Sequence, residues 1–133
     1  MFAHRLQVRF ADTDAQGHVF FANYLTFFDE AVSAFYRSIG FPWQKLREMG
    51  VDLVYADAHA SFKGRATFEE VLVIEVSIAK IGTSSILATF VCKQEDGSLV
   101  ATGDLVSVCV DVATMKPTRV PDPIREAVVR SFG

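Results

Sequence analysis

The chain has 133 residues, the common size of a single domain, so we predict one domain over residues 1–133. Its formal charge of −3 comes from 13 basic and 16 acidic residues, and the basic residues are scattered, so we predict no nucleic-acid partner. Half of the residues are hydrophobic, which predicts a homo-oligomer in which another subunit covers apolar surface.

The cysteines and the apolar runs indicate the class of protein. Cys92 and Cys109 lie in strand-like runs without the spacing of metal ligands or of a C-x-x-C pair, which predicts buried free thiols. No run reaches about 18 residues without a charge. We therefore predict a cytoplasmic protein with no membrane-spanning segment, no membrane partner and no metal site.

The first predicted element is a strand in which Leu6, Val8 and Phe10 alternate with polar residues, the period of a strand with one buried face. It ends at the aspartates of a segment, Asp12 to Val19, that carries more polar side chains than a strand-to-helix connection needs. Taken alone, such aspartates are more often turn residues that bond nearby amides, and a functional site is the alternative.

An amphipathic helix is predicted from Asn23 onward, because apolar residues recur every three or four positions. Asn23 is expected to be its N-cap, Gly40 its left-handed C-terminal residue, and Pro42 prevents continuation. Additional aromatic residues widen the apolar surface, so the helix should be largely enclosed. Asp29 and Glu30 are interpreted as a solvated face, with approach to a neighbouring subunit's site as the alternative.

A short helical piece around residues 43–49 precedes four strand candidates, which form an antiparallel meander with turns at 82–83 and 96–97. The first of these, residues 51–63, is expected to present two distinct faces. One, covered by a helix, holds Val54, Ala56, Ala58, Ala60 and Phe62, and the other holds Tyr55, Asp57, His59, Ser61 and Lys63. The last strand is apolar on both faces, and a short helix with Asp122 as N-cap closes an α+β fold.

The segment from Asp12 to Tyr24 has the form D-x-D-x-x-G-h-V-x-x-x-x-Y. With this motif and its order of elements, the chain resembles the hot-dog fold acyl-CoA thioesterases of the 4-hydroxybenzoyl-CoA thioesterase type. The segments KIGTSS, residues 80–85, and KPTRVPDPIRE, residues 116–126, are similar to further parts of that family. The resemblance implies a five-stranded antiparallel sheet wrapped around a long central helix.

The resemblance also implies the roles of individual residues. Asp14 would be the catalytic carboxylate, as nucleophile or as general base, and the backbone amide near Phe21 would polarise the thioester carbonyl. His18 occupies the family's Gly-His position and is a further catalytic candidate. Family members form dimers with helices side by side and active sites at the interface, often paired into homotetramers. The resemblance implies that no metal or organic cofactor is needed.

The residue types suit this chemistry. A carboxylate supplies an attacking oxygen directly or by activating water, and a helix N-terminus offers unpaired N–H groups to a developing oxyanion. Gly17 permits close backbone approach, and Phe20 with Phe21 offers an apolar wall. Asp12 is expected to shape the loop. The candidate substrate-binding residues are Asp12, Gly17, Phe20, Tyr24, Lys63, Lys80, Thr83 and Ser84, of which the last four would contact CoA across a dimer.

The leading prediction is hydrolysis of an acyl-CoA to free acid and CoA through Asp14. A hot-dog dehydratase or hydratase is one alternative, which the lack of a helix histidine disfavours. The other is a non-catalytic acyl-CoA-binding module, which would keep the pocket without needing Asp14. The acyl group, aromatic or short-chain aliphatic, stays open, as do the choice between CoA and acyl carrier protein and that between dimer and tetramer.

Overall fold

One five-stranded antiparallel sheet and three α-helices make up the part of the chain that the computed structural model describes, residues 2–132. The strands are β1 (Phe2–Gln7), β2 (Val51–Phe62), β3 (Val71–Ile81), β4 (Ser85–Gln94) and β5 (Leu99–Asp111). The helices are α1 (Asn23–Ser38), α2 (Trp43–Glu48) and α3 (Asp122–Phe132), and a 3₁₀ turn covers Phe10–Asp12. The predicted α+β class and antiparallel sheet are confirmed.

The strand order is β1-β3-β4-β5-β2, so β1 and β2 form the two edges. Alternate residues of the central strands are buried on the face that carries α1, because an antiparallel strand turns successive side chains to opposite faces. Residues on the other face, such as Val73 and Val91, are half-buried. Cys92 and Cys109 are buried and unbonded to each other, as predicted.

Helix α1 is held to the sheet by aromatic packing. The Phe28 ring stacks on Phe90 with ring centroids 4.7 Å apart. A side chain at Gly103 would not fit there, because its Cβ would lie 2.5 Å from the Phe28 ring. After the helix, Gly40 adopts a φ of +91°, as the sequence predicts.

The predicted N-cap is wrong. Asn23 is the first helical residue, and the N-cap is Ala22, whose backbone is already helical. The Asn23 side chain instead donates to the Asp12 carbonyl at 2.9 Å. It therefore joins the helix to the preceding loop rather than capping it.

The predicted inward position of Phe10 is also wrong. Val8 is buried, but β1 ends at Gln7 and the chain enters the 3₁₀ turn, which leaves Phe10 76% exposed. The Asp12 N–H donates to the Arg9 carbonyl at 3.0 Å and closes this turn. The alternation of apolar residues therefore continues past the true end of the strand.

A β-bulge in β2 makes part of the predicted assignment of its two faces wrong. The register shifts between Tyr55 and Asp57, so Ala56 is an extra residue. As a result Tyr55 shares the α1 side of the sheet with Ala58, while Val54 lies on the opposite side. Ala58 is exposed rather than covered by a helix, because β2 is an edge strand.

Helix α1 runs antiparallel to β2. The Tyr55 hydroxyl donates to the Asp29 carboxylate at 2.5 Å, whereas the Phe62 ring lies 5.7 Å from that of Tyr24. The start of α1 therefore lies over the end of β2, and the later turns of α1 lie over its beginning. Among residues 2–132, no helix is long and apolar enough to cross a membrane.

Candidate active site

The segment between the 3₁₀ turn and α1 is a tight loop closed by its own backbone. The Asp14 N–H donates to the His18 carbonyl at 3.0 Å, and the Gly17 N–H donates to the Asp14 carbonyl at 2.9 Å. Gly17 has a φ of +84°, in the left-handed region that favours glycine. The Val19 N–H donates to the Ala66 carbonyl at 2.8 Å, which ties the loop to the segment after β2.

Asp14 is half-exposed and only partly bonded. Its Oδ1 accepts the Gln16 N–H at 2.9 Å, an arrangement that fixes the carboxylate within the turn. Within residues 2–132, Oδ2 has no hydrogen-bond partner. One oxygen is therefore free to attack a carbonyl or to bind a water molecule.

Asp12 is buried and fully engaged by the protein. Its carboxylate accepts the Arg9 backbone N–H and guanidinium Nη2, each at 2.8 Å. These bonds to Arg9 hold the pKa of Asp12 below its usual range. The Asp12 carbonyl also accepts the Phe20 N–H at 2.9 Å, beside the bond from Asn23. Asp12 thus connects the 3₁₀ turn to the start of α1.

Replacing Asp12 by asparagine is expected to lower the free energy of unfolding by roughly 1–3 kcal/mol at pH 7, because a buried charged hydrogen-bond acceptor is lost. A lowered pKa in the folded state stabilises the protein above the unfolded value, near 3.8, and the stabilisation is lost as the pH falls through the folded value. The difference between wild type and Asp12→Asn should therefore shrink below about pH 4. Urea unfolding at several pH values measures it.

Asp14→Asn is the matched control for this measurement. Its amide oxygen can still accept the Gln16 N–H, so we expect a smaller loss of stability than for Asp12→Asn. Equal stability of Asp12→Asn and wild type at pH 7 would show that the bonds to Arg9 do not hold the loop.

Among the described residues, the two just before α1, Phe21 and Ala22, have unpaired amides. The N–H groups of Asn23, Tyr24 and Leu25 donate to the carbonyls three residues earlier, at 2.9 to 3.3 Å. The N–H groups of Phe21 and Ala22 have no acceptor in the described part of the chain. Unpaired N–H groups at a helix start carry the positive end of the helix dipole. This position suits a carbonyl oxygen that gains negative charge.

Aromatic side chains form a wall next to these amides. The ring centroids of Phe20 and Phe21 are 4.8 Å apart, and Phe62 lies 6.1 Å from Phe21. All three are at least 43% exposed, which is high for phenylalanine. The sequence predicted only that Phe62 lies on the helix-covered face of β2. Its contact with Phe21 was not predictable, because that contact depends on the direction of α1 relative to β2.

His18 and Tyr24 complete the loop's functional groups. The His18 Nδ1 lies 3.1 Å from the Val19 carbonyl, which can only accept, so Nδ1 is the donor of this bond, and in the neutral tautomer Nε2 is the acceptor. Burial raises the pKa of Tyr24 to about 12, which keeps its hydroxyl neutral.

The four predicted CoA contacts divide into two groups. Lys63 follows β2, and its N–H donates to the Val100 carbonyl at 2.8 Å, at the end of the sheet that carries the Asp14 loop. Lys80, Thr83 and Ser84 surround the β3–β4 turn at the opposite end. The 11 residues of β3 separate the two ends by roughly 35 Å. Within one chain, Lys80, Thr83 and Ser84 are therefore not brought together with Asp14.

A cavity of about 360 Å³ lies between α1, α2 and β2. Its walls combine apolar residues with polar and charged ones, which are Asp29, Ser33, Tyr36, Arg37, Gln44, Asp52, Tyr55 and Ser107. Burial, followed by the contact with Asp29, raises the pKa of Tyr55. Glu30, the other predicted helix carboxylate, instead bonds His4 at 2.6 Å, away from the cavity.

The cavity and the Asp14 loop lie at different ends of α1. Asn23 begins the helix, Asp29 is the first residue of α1 in the cavity wall at roughly 9 Å along the axis, and Tyr36 follows at roughly 20 Å. A small acyl group bound near Asp14 therefore does not reach Tyr36 of the same chain.

Comparison with known proteins shows that the chain is similar to enzymes. The family model described as the thioesterase-like superfamily matches residues 8–128. The acyl-CoA thioester hydrolase YbgC of Escherichia coli is 27% identical over 93% of this chain and 92% of its own length. The 1,4-dihydroxy-2-naphthoyl-CoA hydrolase of Thermosynechococcus vestitus is 27% identical over 88% and 81% of the two chains. The solved structure of a gentisyl-coenzyme A thioesterase, 27% identical, superposes with a TM-score of 0.86 and covers 95% of this chain and 98% of that chain.

Proposed function

Because the chain belongs to the thioesterase-like superfamily, we propose that it hydrolyses acyl-CoA thioesters and that Asp14 supplies or activates the attacking oxygen. One observation carries the proposal. Asp14 keeps a free carboxylate oxygen in the loop that leads to the unpaired amides of Phe21 and Ala22. The two requirements of thioester hydrolysis, an attacking oxygen and a site for the oxyanion, are thus met at one helix start.

The proposed reaction begins with addition to the thioester carbonyl. Either Asp14 attacks directly and gives a mixed anhydride that water then cleaves, or it removes a proton from the attacking water. In both cases the carbonyl oxygen becomes negative, the C–S bond breaks, and CoA leaves as the thiolate, which takes its proton from Asp14 in the general-base route and from water in the direct route. The Phe21 N–H, aided by Ala22, stabilises the oxyanion, a contribution of roughly 10²–10³ in rate for one such donor. His18 Nε2 lies on the same loop and is a candidate to accept or return a proton.

The relatives support CoA as the thiol carrier. The names of all three relatives specify a CoA thioester, and two of them specify an aromatic acyl group. The exposed wall of Phe20, Phe21 and Phe62 offers flat apolar surface for such a group or for pantetheine. We propose an aromatic acyl-CoA as the preferred substrate and a short aliphatic acyl-CoA as the second candidate.

A homodimer would complete this site. The edge strand β2 has 12 residues, and those from Tyr55 to His59 are exposed, so its free backbone groups can pair with a second copy. In an antiparallel pairing centred on Ala58, Asp57 faces the partner's His59, and the end of β2 that holds Phe62 lies beside the beginning of the partner's β2. The Asp14 loop of one protomer then adjoins the cavity of the other, and the half-buried outer face of the sheet is available for a dimer of dimers.

Thiol release from a panel of acyl-CoAs tests the proposal. We expect hydrolysis of at least one aromatic or short-chain acyl-CoA, detected as free CoA together with the matching carboxylic acid. Appearance of a hydrated or dehydrated acyl-CoA with no free thiol would instead support a hydratase or dehydratase. Tight binding of acyl-CoA without any product would support a binding module and contradict the proposal.

A further inference from the structure

The Tyr36 hydroxyl is a buried polar group without a partner. Tyr36 lies in the last turns of α1, is 8% exposed, and forms part of the wall of the cavity between α1, α2 and β2. Its oxygen is buried and has no hydrogen-bond partner among residues 2–132. Buried hydroxyls are nearly always paired, because an unpaired one costs folding free energy. We therefore expect the hydrogen-bond partner of this hydroxyl to come from outside the folded chain.

The other tyrosine of the cavity shows the contrast. Tyr55 donates to Asp29 at 2.5 Å, so its hydroxyl is already satisfied. A phenylalanine in place of Tyr36 would fill the same apolar space without the cost of an unpaired hydroxyl. Burial raises the pKa of Tyr36, so the group is a neutral hydrogen-bond donor at physiological pH.

We infer that Tyr36 is a specificity-determining residue, whose hydroxyl bonds a polar group at the end of the acyl chain remote from the thioester. The inference rests on the proposed function and on pairing through β2, which sets the cavity of one protomer beside the Asp14 loop of its partner. The volume of 360 Å³ falls within the roughly 300–1,000 Å³ of small-molecule sites. A wall that mixes apolar residues with hydroxyl residues, two aspartates and Arg37 suits a ring or chain that carries a polar group.

An apolar occupant fits the cavity less well. A phenylalanine of the partner subunit would fill the volume but leave the Tyr36 hydroxyl unpaired. An acyl group that ends in a hydroxyl or carbonyl oxygen both fills the space and accepts the bond. The unpaired donor thus favours an acyl group with an acceptor, because an all-hydrocarbon group leaves the hydroxyl as unpaired as it is in the free protein.

Matched acyl-CoA pairs test the assignment. The first pair is 4-hydroxybenzoyl-CoA and benzoyl-CoA, and the second is 6-hydroxyhexanoyl-CoA and hexanoyl-CoA. We expect wild type to prefer the hydroxylated member of at least one pair. Tyr36→Phe should lower kcat/KM for that member about 5- to 10-fold, the size of one lost hydrogen bond, and change it less than twofold for the unsubstituted member.

Tyr55→Phe is the matched control, because it also removes one tyrosine hydroxyl from the cavity wall. It breaks the bond to Asp29 and should lower Tm by roughly 2–8 °C, whereas Tyr36→Phe should not lower it. Tyr55→Phe should leave the ratio of the two kcat/KM values unchanged. A purely structural role of Tyr36 would instead lower both values together.

Two outcomes overturn the assignment: a ratio that Tyr36→Phe leaves unchanged, and a wild type that prefers the unsubstituted member of both pairs. If wild type hydrolyses no acyl-CoA, the proposed function fails, and titration of the protein with 4-hydroxybenzoate and benzoate, followed by NMR, then decides the role of Tyr36. A preference for 4-hydroxybenzoate that Tyr36→Phe abolishes supports it. Binding of neither acid, or equal binding by both proteins, overturns it.

Discussion

Asp14→Asn is expected to lower kcat for the best acyl-CoA about 10³-fold while the fold is retained. An asparagine amide can neither attack a thioester carbonyl at a useful rate nor accept a proton from water. It does preserve the shape of the carboxylate and the bond from the Gln16 N–H, so the loop should keep its conformation. The loss should therefore fall on kcat rather than on KM, since CoA contacts are unchanged.

Asp122→Asn is the control for this prediction. Asp122 is an exposed aspartate at the start of α3, paired with Arg119 at 3.1 Å, and the bond of Arg125 to the Thr83 carbonyl places this end of α3 at the β3–β4 turn, opposite the Asp14 loop. Its replacement should leave turnover at the wild-type level. Circular dichroism and the unfolding temperature of both variants confirm that any loss of activity is not a loss of fold.

Ala58→Lys is expected to convert the protein to a monomer and to lower kcat/KM about 10²-fold or more. Ala58 is exposed in the middle of β2, where a two-fold pairing sets each copy of the residue beside its counterpart. Two lysines at that point repel each other and disrupt the strand pairing. Activity falls because the site would lose the cavity that the partner subunit contributes.

Light scattering and CoA release, measured on the same samples, check this prediction. Ala113→Lys, an equal change at an exposed residue after β5, should keep both the oligomer and the activity. A monomeric Ala58→Lys protein with full activity would show that one chain holds a complete site. A wild type that is monomeric at every concentration would contradict pairing through β2.

The hot-dog fold predicted from the resemblance is confirmed. The sheet is five-stranded and antiparallel, and the likeness to a thioesterase of known structure covers almost the whole chain. Strands β3, β4 and β5 and helix α1 were predictable because each carries a sustained period of apolar residues. Such periods report burial on one face, which is the main determinant of these elements.

Features that depend on one residue or on distant contacts were not predictable. The bulge at Ala56 reverses the faces of the β2 residues that precede it, yet no turn residue marks it. Phe10 continues the alternation of β1 although the chain has already turned. The bond of Arg9 to Asp12 and the aromatic wall with Phe62 depend on tertiary packing, and so does the cavity around Tyr36.

The candidate site, too, was predictable only in part. The motif from Asp12 to Tyr24 identified the loop that leads into α1, because residues that are close in sequence stay close in space. Lys80, Thr83 and Ser84 were grouped with it on chemistry alone, and they lie at the other end of the sheet. Only a second copy of the chain can bring them near Asp14, so their role stays a prediction.

Chemical rescue of Asp14→Ala by formate is the measurement that tests the central proposal most directly. Removing the carboxylate leaves space beside a half-exposed loop, which a small carboxylate from solution can enter. We expect Asp14→Ala to release CoA about 10³-fold more slowly than wild type, and formate to raise its rate in a saturable way without affecting wild type. An Asp14→Ala protein that hydrolyses the best acyl-CoA at the wild-type rate would contradict the assignment of Asp14 as the catalytic carboxylate.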